Sequence, residues 1–299
     1  MSGLQIGMVG LDTSHVIGLA ECFNNPTATF PVAGARIVKA FPGGSDAFSL
    51  SRDRIAGFSA ELRGKYGVEL VDSLNALENL DAYLIESVDG TQHLEQFRAL
   101  AEFGKPVFID KPFACSYDEA KQIFELARRK QLPIMTASCM RFAAGVGDLT
   151  ISGKPIAVDG FGPLPFLPDY RDYFWYGIHT AELLYRYLGT GCEQVQTISR
   201  GPIELVIGFW ADGRIGQITG NSIGCNDFGV RLVTQTGHVV SMQNPDIPPL
   251  YPMASAILDF FRNGIPQIDP AESLEIIAFL EAASRSRAAG GMPVALNNL

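Results

Sequence analysis

Three short stretches concentrate the side chains able to do chemistry. Residues 6–16 read IGMVGLDTSHV, an apolar run that ends at a glycine and gives way to polar residues opening a helix. A helix N-terminus presents unpaired N–H groups and the positive end of a dipole, so an anion can sit there. Against the dinucleotide fingerprint G-x-G-x-x-G, Gly10 holds the first position, Asp12 the second and His15 the third. In one reading the loop amides and the hydroxyls of Thr13 and Ser14 hold phosphates, with His15 assisting. In the other, Asp12, Thr13 or Ser14 caps the helix. Aspartate at the second position repels and crowds a phosphate.

The second stretch is residues 104–114, GKPVFIDKPFA. Lys111 follows the carboxyl end of a strand, where open α/β sheets bind ligands. A lysine there donates to a substrate hydroxyl or carbonyl and can shuttle a proton; the alternative is a surface lysine in a turn. The third stretch, residues 175–182, reads WYGIHTAE and opens a helix. His179 suits proton transfer. Glu182 lies three residues on, on the same helical face, and is expected to orient the imidazole; Asp172 is the alternative, and a packed core histidine the plain reading. Tyr170, Arg171, Tyr173 and Tyr176 form an aromatic, polar cluster suited to a sugar-like ligand or to a subunit contact, and Trp175 offers a ring face to stack on a sugar. Arg141 is placed to meet a substrate anion or to form a surface salt bridge. His238 reads as structural.

The elements that must position these residues change character along the chain. Up to about residue 140, short apolar runs (4–9, 36–41, 68–71, 82–86, 106–109, 133–136) alternate with helical patterns (14–23, 51–66, 74–79, 93–103, 117–130). That alternation indicates right-handed βαβ units in a parallel sheet. The second strand runs into Pro42-Gly43-Gly44-Ser45 with no acid at its end to bond ribose hydroxyls. A small polar loop with Arg52 or Arg54 nearby accepts a 2′-phosphate equally well, so NAD and NADP both stay open. Residues 148–168 are rich in Gly and Pro and mark the domain boundary region. A helix at 179–188 follows, then strands at 194–199, 204–210, 216–219, 230–234 and 239–242, separated by turns such as Asp212-Gly213. Helices at 253–262 and 270–288 close the chain. The expected fold is α/β: a doubly wound parallel Rossmann domain (residues 1–140), then an α+β domain (residues 141–299) on a largely antiparallel open sheet. The C-terminal helix is expected to pack back on the first domain.

The 299 residues are 47% hydrophobic and 18% charged, enough apolar content for two cores. The formal net charge of -9 argues against nucleic acid as partner, because phosphate backbones want a cationic face. Neither a signal peptide nor a membrane span is expected. The five cysteines are scattered and form no C-x-x-C pair, consistent with free thiols in a reducing cytoplasm. No histidine–carboxylate cluster with metal-ligand spacing stands out, so no metal site is expected.

The chain resembles the Gfo/Idh/MocA oxidoreductases. The order SVDGTQH (residues 87–93), helix, GKPVFIDKP (residues 104–112) carries the resemblance, with Asp110-Lys111-Pro112 standing for the family's E-K-P. The closing segment PAESLEIIAFLEAASRSRAAGGMPVAL (residues 270–296) extends it over most of the chain. The family's D-x-G-x-H motif matches at Gly177 and His179, with Trp175 at the aspartate position. The resemblance implies cofactor contacts from Gly10, Asp12, Thr13, Ser14, His15, Ser87, Asp89, His93 and Lys111. It implies acid/base roles for Lys111 and His179; candidate substrate contacts, read from the residues themselves, are Arg141, Tyr173, Trp175 and Tyr176. The implied reaction is hydride transfer between NAD or NADP and a hydroxyl carbon of a sugar, cyclitol or related polyol, in a homo-oligomer (dimer or tetramer). The expected cleft brings Lys111, His179 and the Gly10 turn together. Two rivals stand beside it: a redox-inactive binding or regulatory protein on the same fold, and a lyase or hydrolase using tightly held NAD.

Overall fold

The computed structural model describes residues 3–299. Two compact units emerge, each discontinuous in sequence. The first comprises residues up to Ala114, Asp118–Ala137 and Leu250–Pro270. The second comprises Cys115–Tyr117, Ser138–Pro249 and Ala271–Leu299.

In the first unit the strands are β1 (Leu4–Val9), β2 (Ala35–Phe41), β3 (Glu69–Leu70), β4 (Ala82–Ile85), β5 (Val107–Asp110) and β6 (Ile134–Ala137). They form one parallel sheet in the order β3-β2-β1-β4-β5-β6, the doubly wound arrangement expected. Every residue of β4, β5 and β6 is buried, as strands covered on both faces must be. The helices are α1 (His15–Asn24), α2 (Ser49–Tyr66), α3 (His93–Leu100) and α4 (Tyr117–Lys130). Asp118 and Glu119 open α4 and Arg128, Arg129 and Lys130 close it, matching its dipole. The expected helix at 74–79 is a single 3-10 turn.

The second unit holds β7 (Ala157–Pro163), α5 (Asp172–Trp175), α6 (Gly177–Leu188), β8 (Cys192–Arg200), β9 (Ile203–Trp210), β10 (Ile215–Asn221), β11 (Gly229–Thr234) and β12 (Gly237–Met242). Next come α7 (Leu250–Asn263), a member of the first unit that lays Tyr251 against Phe30 at 5.1 Å, and α8 (Pro270–Ala288) of the second. β13 (Val294–Ala295) completes a sheet ordered β12-β11-β7-β10-β9-β8-β13.

That sheet departs from expectation at β7, inside the Gly/Pro-rich stretch taken as boundary. β7 is a central strand, parallel to β10 and antiparallel to β11. Its sequence AVDGFGP hides it, because two inward positions are glycines. A Cβ on Gly160 would stand 2.8 Å from the Thr180 methyl, and one on Gly162 2.6 Å from Phe228. Glycine lets α6 lie directly on the strand. The sheet's other face leaves Ile198, Ile203 and Ile215 exposed.

Candidate active site

The candidate residues fall into two clusters, one in each unit. In the first unit they gather where β1, β4 and β5 end. These are adjacent strands of the sheet, and β1/β4 is the point where strand order reverses, the usual ligand crevice of such sheets.

Gly10 has φ +85°, and a Cβ there would stand 2.4 Å from the Ser87 amide nitrogen, so only glycine fits. Its N–H donates to the Phe41 carbonyl at 3.1 Å, and the Leu11 N–H to that of Pro42 at 2.7 Å. Asp12 is fully buried. Its Oδ1 accepts from the Val88 amide at 2.8 Å and its Oδ2 from the Ser51 hydroxyl at 2.6 Å; Ser51 Oγ in turn accepts from the Ser45 amide. Asp12 thus ties three strand-end loops together. Burial pushes its carboxyl above the ordinary 3.8, against the hydrogen bonds from Ser51 and Val88. It is neither the cap nor the phosphate contact weighed from sequence.

Thr13 is buried and accepts from the His15 amide at 3.4 Å. Ser14 is exposed and its side chain caps nothing, so its hydroxyl remains for an anion at the positive end of α1, while the His15 and Val16 amides donate to Thr13. Ser87 Oγ accepts from Gln96 at 2.7 Å. Asp89 caps the following turn, accepting from the Thr91 amide and hydroxyl. His93 is fully buried, with its ring nitrogens 2.8 Å from the Ser87 carbonyl and 3.2 Å from that of Phe113. These three residues brace the strand ends.

Lys111 is buried, directly after β5. Beside it lies a cluster not visible in the sequence spacing. His15 Nδ1 meets Asp110 Oδ2 at 2.8 Å. Glu86, just past β4, is fully buried and neither carboxyl oxygen has a hydrogen-bond partner; Asp110 Oδ1 lacks one too. Burial pushes Glu86 well above the ordinary 4.5, Asp110 adding to the rise and His15 and Lys111 opposing it. For Asp110, burial also pulls upward, but the His15 charge and hydrogen bond with Lys111 behind them hold the carboxyl below 3.8. One ligand atom each from His15, Glu86 and Asp110 lies within 4.8 Å of the others. This corrects the expectation that no histidine–carboxylate cluster forms: the three residues are 71 and 24 positions apart in sequence, counted from His15 to Glu86 and Glu86 to Asp110, so only folding unites them.

In the second unit, His179 Nδ1 faces Ser138 Oγ at 2.6 Å. Ser138 was not singled out in the sequence; its position directly after β6 was the one available signal. Glu182 does not orient the imidazole directly. Its Oε1 accepts from the Ser138 amide at 3.1 Å and its Oε2 from Arg141 Nη1 at 3.1 Å, so it fixes the residue that meets His179. Burial pushes Glu182 above the ordinary 4.5, opposed by the Arg141 charge and the Ser138 amide. Arg141 is buried with its other nitrogen on Glu272: the guanidinium is committed to two carboxylates rather than to a substrate anion. Tyr173 is fully buried and donates to Glu204 on β9, a core role rather than a ligand contact. Trp175, Tyr176 and His179 make a chain of rings, with centroids 5.6 and 5.4 Å apart, and Phe228 packs on the far side of His179 at 5.7 Å.

A sheet ordered 3-2-1-4-5-6 with polar residues at its switch point, joined to a second unit built on a mixed sheet, defines a Rossmann-type two-unit class. Residues 51–138 match the family model of the Gfo/Idh/MocA proteins, described as an oxidoreductase family with an NAD-binding Rossmann fold; the resemblance drawn from GKPVFIDKP holds. Solved structures share the whole fold. Myo-inositol dehydrogenase from Lactobacillus casei, in complex with NAD(H) and myo-inositol, superposes with a TM-score of 0.76 at 15% identity, covering 98% of this chain and 96% of that one. An oxidoreductase from Agrobacterium radiobacter, in complex with NAD+, L-tartaric acid and magnesium, gives 0.73 at 15%, covering 99% of each. GenD2 of gentamicin A biosynthesis, in complex with NAD, gives 0.78 at 16%, covering 99% of this chain and 97% of that one. No helix among the described residues is long and apolar enough to cross a membrane.

Proposed function

We propose that this chain is an NAD(P)-dependent oxidoreductase acting on a CH–OH group of a sugar, cyclitol or related polyol. The observation that carries the reading is buried Lys111 at the β5 end of a Rossmann sheet, inside the segment that matches the family model. The switch-point crevice and the N-terminus of α1, with Ser14 open, suit a dinucleotide phosphate. When bound, a nicotinamide supplies the hydride chemistry. Lys111 would hold the substrate oxygen by a hydrogen bond. In the second unit, His179, whose Nδ1 faces Ser138 Oγ, carries an imidazole suited to proton transfer. Trp175 and Tyr176 offer ring faces to a sugar-like ligand. Self-association through the open face of the seven-stranded sheet belongs to the same proposal.

Titration of the purified protein with NADH and NADPH, followed by fluorescence, tests it. Saturable binding of one cofactor is expected, with Lys111→Ala keeping that binding and losing polyol turnover. Absence of binding by either cofactor overturns the proposal. One observation favours a second reading, a binding or regulatory protein on the same fold. The amides of Gly10 and Leu11 and the Asp12 side chain are all spent inside the protein, where a dinucleotide turn leaves its glycine backbone open. Absence of cofactor binding, with sugar binding retained, would establish that reading.

A further inference from the structure

We propose that His15, Glu86 and Asp110 form a binding site for one first-row divalent cation, of the Mn2+, Fe2+ or Zn2+ type. The inference does not rest on the oxidoreductase reading.

Glu86 is the observation that demands a ligand. It is fully buried at the end of β4, and both its oxygens lack a hydrogen-bond partner. Buried carboxyl groups in proteins are hydrogen-bonded, paired or bound to metal. Asp110 Oδ1, also without a partner, belongs to the same cluster. One donor atom from each of the three residues lies within 4.8 Å of the others. Small side-chain rotations bring such atoms to the roughly 2.0–2.2 Å bonds of nitrogen and carboxylate ligands. A hydrogen bond already joins His15 Nδ1 and Asp110 Oδ2 across 2.8 Å; a bound cation takes the place of its proton, which leaves to solvent.

The donor set selects the metal class. One imidazole nitrogen with two carboxylates is a mixed set, which suits Mn2+, Fe2+ or Zn2+. Ca2+ and Mg2+ prefer oxygen alone. The three ligands sit on the ends of adjacent strands and on the first residue of α1. Rigid elements of this kind hold a coordination geometry better than loops do.

The test uses the full-length protein, freed of metal by chelation and dialysis. Zn2+, Mn2+ and Mg2+ are titrated separately by calorimetry, with thermal melting in parallel. One equivalent of Zn2+ or Mn2+ should bind and raise the melting temperature, with Mg2+ much weaker. In Glu86→Gln, which keeps the shape and removes the charge, affinity should fall by roughly tenfold or more. Lack of saturable binding to wild type, or equal affinity in Glu86→Gln, overturns the proposal. Should Glu86→Gln fail to fold, wild-type NMR decides. Substoichiometric Mn2+ should broaden the His15 imidazole signals ahead of those of His93, His179 and His238, and broadening that spares His15 overturns it.

Discussion

Asp12 shows how one side chain rewrites a motif. In place of the fingerprint's second glycine it satisfies the Val88 amide and the Ser51 hydroxyl from a fully buried position. Asp12→Ala strands both donors and should cost about 2–4 kcal/mol, read as a lower urea midpoint; Asp12→Asn, which keeps one acceptor, should cost less. A melt unchanged in Asp12→Ala would mean that the three loops do not depend on it. Glu182 is a second buried acid, and here pH is the probe. Burial raises its folded pKa above the ordinary 4.5 despite Arg141. The folded state thus binds the proton more tightly than the unfolded chain. The associated stability is complete below pH 4.5 and is lost as pH rises through the folded value. Glutamine carries no such proton, so wild type should lose stability relative to Glu182→Gln between pH 4.5 and neutrality, measured by calorimetry. The opposite trend would show that the Arg141 pair outweighs burial. Gly10, Lys111 and His179 were legible from sequence because each stands at a strand end or helix start beside a recognisable turn. Ser138 and Glu86 were not, because a lone serine or glutamate after an apolar run looks like any other. What distinguishes them is contact with His179 in one case and buried isolation in the other, and both are products of folding.

At the scale of elements, period was a good guide where one face is wet or the run is long. The helices at 117–130 and 270–288 fall where the pattern put them, and so do the hairpin strands from β8 to β12. Period failed at β7, where glycine at positions 160 and 162 erased the apolar alternation. The same glycines make a sharp prediction. Gly160→Ala drives its methyl against Thr180 Cγ2 and should cost about 1–3 kcal/mol. Because α6 carries His179, the change should also disturb the His179 signals in NMR. Adding Thr180→Ala, which removes the opposing methyl, should recover most of the loss. Strictly additive losses in the double variant would show that the two side chains do not meet.

At the scale of the whole molecule, the seven-stranded sheet keeps one face against its helices and leaves the other open. Register places Ile198, Leu205, Ile207, Phe209 and Ile215 together on that open face. Contiguous apolar surface of this kind marks an association site. Light scattering at tens of micromolar should therefore give a dimer or tetramer for wild type and a monomer for the variant carrying Leu205→Lys and Ile207→Lys. A monomeric wild type would remove oligomerisation from the proposal.

The discontinuous build of the first unit governs how the chain comes to be folded during its own synthesis. Helix α7, which packs Tyr251 against Phe30 and Leu250 over Gly18, is translated long after β6 has emerged. At roughly 5–20 residues per second, the ribosome needs about 7 to 27 seconds to travel from Ala137 to Pro270. Throughout that interval the nascent parallel sheet has an uncapped flank around α1, so this is the stage at which a chaperone has most to hold.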